Sequence, residues 1–199
     1  MNRAPETHRR QSIRLRDYDY SEAGAYFITI CIRRKECLLG VIVNTRMALN
    51  AFSAAVQECW DELPLHFPHV ELDEFVVMPN HVHGLIILNS VRAHYGDGIV
   101  GVNVTPGSLG AIVRSFKSAA TKCINEMRGA PGIPVWQRNY YEHIVRDDDE
   151  LEHIREYIQN NPAQWALDRE NPAFIVGARD GLVGAQHAAP LRGRDDIER

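Results

Sequence analysis

What the chain lacks narrows it first. It has no apolar run approaching the roughly 20 residues that a membrane-spanning helix needs. The opening Met1-Asn-Arg-Ala-Pro has none of the apolar core of a secretory signal, so the expectation is a cytoplasmic protein without a membrane segment. Cysteine is scarce, four in 199 residues. Cys31, Cys37, Cys59 and Cys123 show no paired metal spacing and read as reduced thiols. A broad basic excess is missing too: the net charge of −4 argues against a protein that coats nucleic acid without specificity. What remains, 45% hydrophobic and 24% charged residues, is the composition of a soluble domain large enough for a real core.

The basic charge is concentrated at one end. Residues 1–16 carry Arg3, Arg9, Arg10, Arg14 and Arg16 against Glu6 alone. Their low apolar content predicts a flexible basic arm, either a solvated tail or a segment that orders on phosphates. A β-branched and aromatic run, Ala25–Ile32, then reads as a strand. Arg33-Arg34-Lys35 form a charged turn, and Cys37–Val43 is expected to pair back as a second strand. The period changes over 47–63, where Leu49, Phe52, Ala55, Val56, Cys59 and Trp60 recur at helical spacing until Pro64. Residues 69–77 read as the third strand. The glycine-rich stretch 89–107 is longer than most connections.

A second helix starts at Ser108, an N-cap type, with Leu109, Ile112, Val113, Phe116 and Ala119 as its apolar stripe. Its other face carries Arg114, Lys117, Lys122 and Arg128 against Glu126, by default a solvated surface, while Ser115, Lys117 and Ser118 are candidates to hold a phosphodiester backbone. Val135–Val145 reads as a further strand. Asp147-Asp-Asp-Glu150 opens a third helix, its acids suited to the positive end of the dipole. Leu151, Ile154 and Ile158 form the buried stripe, Pro162 is expected to stop it, and Trp165 and Leu167 to pack a short C-terminal helix. The tail, taken as 173–199, turns to glycine, alanine and charge. The order β-β-α-β-β-α-β-α predicts an α+β fold with an antiparallel sheet and helices mainly on one face.

The stretch Phe75–Leu88 organises the rest. It reads as a buried strand, a Pro79-Asn80 interruption, and a second strand carrying His81 and His83. Strand side chains alternate, so both imidazoles leave one face while Val82 takes the other. Two such rings are either ordinary half-buried histidines or ready ligands for a divalent ion. Tight apolar flanks place the pair in mid-sheet, where an unpartnered polar ring is costly.

Met78-Pro-Asn-His-Val-His-Gly84 resembles the His-hydrophobic-His signature of the single-tyrosine transposases, and its wording is most similar to the REP-associated tyrosine transposases. The resemblance extends over about residues 12–172. It implies a ferredoxin-like or RRM-like core, a catalytic domain over 17–172, and a C-terminal catalytic helix. Glu156-Tyr-Ile-Gln-Asn-Asn-Pro162 matches the family's helix motif, with Tyr157 as nucleophile and Asn161, one helical turn on, as third metal ligand beside His81 and His83. Other members use Gln at that position; the shorter Asn leaves room for a bridging water. Tyr140 and Tyr141 are rival phenols without a ligand at the right offset, and His153, one turn before Tyr157, is a candidate proton acceptor.

The implied activity is metal-dependent cleavage and rejoining of single-stranded DNA at REP-like hairpins through a 5′-phosphotyrosine. The expected ion is Mg²⁺ or Mn²⁺, and the expected DNA contacts are Arg9, Arg10, Arg14, Arg114 and Lys117, in a monomer or homodimer. Two other readings stand beside it: a hairpin-DNA-binding protein derived from a transposase but without catalysis, and a water-using phosphodiesterase. The tail adds one observation. Val183-Gly-Ala-Gln-His-Ala-Ala-Pro-Leu191 can be back-translated, with the first base of Arg192, into a self-complementary string beginning GTAG, the type of tetranucleotide at the foot of the family's hairpins. A plain alanine/glycine tail is the alternative, and the codons themselves decide.

Overall fold

The structure, a computed structural model, describes residues 20–90 and 107–173. The arm with Arg9, Arg10 and Arg14, most of the glycine-rich connection and nearly all of the tail lie outside the described residues. In chain order the elements are β1 (Gly24–Cys31), β2 (Gly40–Val43), β3 (Arg46–Leu49), α1 (Ala51–Asp61), α2 (Leu63–His66), β4 (Val70–Val77), β5 (His81–Leu88), α3 (Leu109–Met127), β6 (Tyr141–Val145) and α4 (Asp148–Gln164). Four strands form one antiparallel sheet in the order β4-β5-β1-β6.

Period-two alternation divides this sheet between two cores. From β1, Tyr26, Ile28 and Ile30 join Val82 and Ile86 of β5 under α1 and α3, where Trp60, Ile112 and Phe116 are buried. The other face sends Phe27 and Leu85 against Ile154 and Ile158 of α4. The sheet is therefore mixed α+β as expected, with two long helices on one face and the tyrosine helix alone on the other. Gly84 belongs to this division: a Cβ built there would sit 2.5 Å from the Trp60 ring, so only glycine lets that indole lie flat on β5.

The helix starts follow local chemistry. Asn50 accepts from the Phe52 and Ser53 amides while the Ser53 hydroxyl accepts from the Asn50 amide, a reciprocal cap that opens α1. Asp147 accepts from the Glu150 amide at the head of α4, whose first turn is acidic. Ser108 does hold the N-cap position of α3, but its side chain makes no capping bond.

Five sequence expectations are corrected. Cys37–Val43 does not pair with β1, because β1 already has β5 on one side and β6 on the other. Instead β2 pairs with β3 in a separate ribbon, turned by Asn44 and Thr45 at φ 49° and 62°, the left-handed pair that a two-residue hairpin demands. Leu49 consequently leaves the helical stripe and is exposed. Pro64 sits in the first turn of α2, where a missing N–H costs little. The strand read over 135–145 is a ladder only at Tyr141–Val145, with Trp136 making an isolated bridge to Ile32. Pro162 does not stop α4, which runs on to Gln164 and into a 3-10 turn, Trp165–Leu167.

Candidate active site

The β4–β5 turn is built so that one amide holds three strands of chain together. The Ile32 amide donates to the Asn80 carbonyl and the Leu39 amide to that of Pro79, fixing the turn against the end of β1. Buried Asn80 then donates from Nδ2 to the carbonyls of Lys35 (3.1 Å) and Glu170 (2.7 Å). With its amide orientation set by two acceptors, Asn80 Oδ1 faces His81 Nδ1 at 2.9 Å. That nitrogen must carry the proton, and His81 Nε2 is left with a bare lone pair. On the neighbouring strand Thr29 lies opposite His83, and its hydroxyl meets His83 Nδ1 at 2.8 Å.

The two Nε2 atoms end 3.0 Å apart. First-row ions hold nitrogen ligands at about 2.1 Å, which puts adjacent ligands about 3 Å from each other. The pair therefore has the spacing of two cis ligands. Both rings are kept neutral by burial. Desolvation, with His83 and Lys35 as lesser causes, drives His81 well below its ordinary value; desolvation alone takes His83 down to about 3. Neutral imidazoles are the ligating form.

The helix opposite is docked through an irregularity in β4. Its register shifts between Leu72 and Phe75, and the two residues there reach α4. Asp73 accepts two bonds from Arg155, at 3.0 and 2.6 Å, and Glu74 accepts one from Gln159 at 2.8 Å. The guanidinium holds the Asp73 carboxyl below its ordinary value. This fixes the roll of α4 so that Tyr157 lies over the histidines. Its hydroxyl is 3.4 Å from His83 Nε2, and its ring stands edge-on to Phe27 with centroids 5.9 Å apart. Burial first, then the negative charge of Asp168, pushes the phenol well above its ordinary value, while a hydrogen bond from Asn161 pulls the other way. Asn161 is itself buried, and its Oδ1 has no protein partner. A buried acceptor left open beside the two imidazole Nε2 atoms fits a divalent cation.

The structure thus gathers His81, His83, Tyr157 and Asn161, and it adds a group that sequence reasoning missed. Asp168 Oδ2 is 3.7 Å from His81 Nε2. Its carboxylate and the two histidines offer ligand atoms all within 4.8 Å of one another. Desolvation pushes its carboxyl above the ordinary value, against the hydrogen bond it accepts from the Glu170 amide. No spacing rule identifies Asp168, because only the turn after α4 folds it back over the sheet.

Other expected residues fall elsewhere. Arg114 is exposed on α3, the helix packed on the opposite face from the histidines. Lys117 donates to the Gln137 and Arg138 carbonyls at 2.6 and 3.2 Å, so its ammonium ties α3 to the segment before β6. His153 is exposed on α4. Tyr141 does share the site's face, edge-on to Phe27 with centroids 6.3 Å apart; Tyr140 packs on the opposite core.

Comparison with known proteins points one way. No protein-family model matches the chain. A Haemophilus influenzae protein described only as "Uncharacterized protein" is 44% identical over 169 residues, 81% of this chain and 93% of the relative. A second protein of that organism, named "Putative REP-associated tyrosine transposase", is 27% identical over 148 residues, 73% of this chain and 74% of its own. Among solved structures, a REP-associated tyrosine transposase bound to a REP hairpin has the same fold, with a TM-score of 0.53 and 21% identity over 95% of this chain and 98% of that one. The histidine strand and the tyrosine helix thus meet in a chain that is similar in sequence to a protein named as a REP-associated tyrosine transposase and that shares the fold of a solved one.

Proposed function

We propose that the protein is a divalent-metal-dependent transposase that cleaves and rejoins single-stranded DNA at REP-like hairpins, through a 5′-phosphotyrosine on Tyr157. The observation that carries this reading is the approach of the Tyr157 hydroxyl to His83 Nε2 across the sheet face, 3.4 Å, beside the open Oδ1 of Asn161. His81, His83 and the Asn161 amide oxygen would hold the ion. When bound, it supplies positive charge that polarises the scissile phosphate and favours the phenolate.

The chain's own residues do the rest. Asn80 keeps the His81 proton on Nδ1, and Thr29 holds the His83 ring, so the two Nε2 atoms face each other where the ion would bind. Asn161 donates to the tyrosine oxygen and so favours its ionised form. Phe27 supports the phenol ring from one edge, and the Asp73–Arg155 pair limits the swing of α4. In the step itself the Tyr157 Oη–P bond forms as the P–O3′ bond breaks. The phenol proton leaves to solvent or a base, and the departing 3′ oxygen takes one up. The phosphoester is conserved, so a 3′-hydroxyl can reverse the reaction and join a strand without ATP.

A solved transposase of this fold is bound to a REP hairpin, which supports a hairpin substrate, and the arm residues Arg9, Arg10 and Arg14 are proposed as its phosphate contacts. The test is to incubate the pure protein with a labelled single-stranded REP-like hairpin, with and without Mg²⁺ or Mn²⁺. A covalent protein–DNA adduct that vanishes in Tyr157→Phe is the expected result. Hairpin binding without any adduct favours the non-catalytic reading, and metal-dependent cleavage that survives Tyr157→Phe favours a water nucleophile.

A further inference from the structure

The residues after α4 form a strap across the histidine face, and its construction is more specific than a chain end needs. The Trp165 ring lies against His81, centroids 6.0 Å apart. Asp168 spends Oδ1 on the Glu170 amide at 2.6 Å, an Asx-type turn that leaves Oδ2 aimed at His81 Nε2. Glu170 pins the turn twice: its carbonyl accepts from Asn80 at 2.7 Å, and its carboxylate pairs with Lys35 at 3.2 Å. Asn171 donates to the Trp165 carbonyl at 2.9 Å and closes the loop. The same Asn80 amide that fixes the His81 tautomer therefore also fixes the segment carrying Asp168.

We propose that Asp168 is a further ligand of the ion held by His81, His83 and the Asn161 amide oxygen, giving a site of two histidines, one amide and one carboxylate that selects a transition ion such as Mn²⁺ over Mg²⁺. This rests on the metal-dependent reading above and extends it to a residue outside the tyrosine helix. The distances decide in its favour. An ion with bonds of about 2.1 Å sets its ligands between about 3 Å (adjacent) and about 4.2 Å (opposite) apart. The 3.0 Å between imidazoles and the 3.7 Å from His81 to the carboxylate both lie in that window. A hydrogen bond does not explain the second distance, because 3.7 Å lies beyond hydrogen-bond reach and the His81 ring that Asp168 Oδ2 faces is wholly buried. The selectivity follows from the donors: imidazole suits Mn²⁺ and heavier first-row ions, whereas Mg²⁺ is held by oxygen and water.

The test is Mn²⁺ binding to the full chain without DNA, followed by the loss of the free-Mn²⁺ paramagnetic resonance signal, with Mg²⁺ as competitor. Asp168→Asn should weaken Mn²⁺ binding at least tenfold, Asp168→Glu should recover part of it, and His83→Ala should abolish it. Millimolar Mg²⁺ should displace little Mn²⁺ from the wild-type chain. Wild-type affinity in Asp168→Asn beside complete loss in His83→Ala overturns the assignment and leaves the histidine site standing. Undiminished binding in both variants overturns the histidine site as well. Should Asp168→Asn fail to fold, wild-type crystals soaked in Mn²⁺ decide. An anomalous peak at bonding distance from Asp168 Oδ2 supports the proposal; a peak on the histidines with Asp168 turned away sinks it.

Discussion

At the scale of single residues, the site depends on polar groups kept in one protonation state by their neighbours. His81 and His83 are buried without a counter-ion fully committed to either, and both are pushed below their ordinary values. The sign of the consequence is fixed. With folded values depressed, the unfolded chain binds protons first, so the stability of the metal-free protein is complete above about pH 6.5, the unfolded histidine value. It is lost as pH falls from there towards the folded value, about 3 for His83, at up to about 1.4 kcal/mol per pH unit for each ring. Urea unfolding in chelator at pH 7, 6 and 5 should show this decline, and a divalent ion should oppose it. A flat profile over that range would mean that the rings are solvated or paired.

At the scale of elements, each piece of the site comes from a local departure from regularity. The β4 bulge frees Asp73 and Glu74 to grip α4, which an unbroken strand would not do. The Pro79-Asn80 turn sets His81 at the first position of β5, where its ring faces that of His83. Gly84 shows the cost of regularity in the other direction. Methylating this position drives a Cβ into the Trp60 ring, and Trp60 is stacked on Phe75 with centroids 4.3 Å apart, leaving it nowhere to go. Gly84→Ala should therefore lower unfolding stability by about 1–3 kcal/mol, the usual cost of overpacking a filled core. Adduct formation per folded molecule should fall with it, since β5 carries both histidines. A urea midpoint unchanged from wild type would show that α1 can slide and that the glycine is there for another reason.

At the scale of the molecule, the two faces of the sheet divide the labour. One face, under α1 and α3, is an apolar core; the other holds the histidines, the phenol and the strap. No described helix is long and apolar enough to cross a membrane. The chain is acidic overall, so the proposed grip on DNA has to come from local basic clusters, chiefly the arm. Replacing Arg9, Arg10 and Arg14 together with Ala should weaken hairpin binding at low salt. It should also reduce the slope of log affinity against log salt by about 2 to 3, since each phosphate contact contributes about 0.7–0.9. Fluorescence anisotropy over a salt series measures both, and an unchanged slope would leave the arm without phosphate contacts.

Much of this was legible in the linear chain. Alternation in Phe75–Leu88 placed both imidazoles on one face, because strand geometry is set locally by the backbone. The acidic start of α4 and its Leu151, Ile154, Ile158 stripe located the helix, and the one-turn spacing paired Tyr157 with Asn161. What composition and period could not give were pairings made between distant segments. Whether residues 40–43 joined the main sheet was decided by β6 occupying the last free edge of β1, a competition that no window of sequence contains. Asp168 carries no local mark at all; its place beside His81 is set by Glu170 meeting Asn80 and Lys35 across the molecule. Short-range backbone preferences thus determined the elements and the orientation of their side chains, while long-range hydrogen bonds alone decided which polar groups meet at the site.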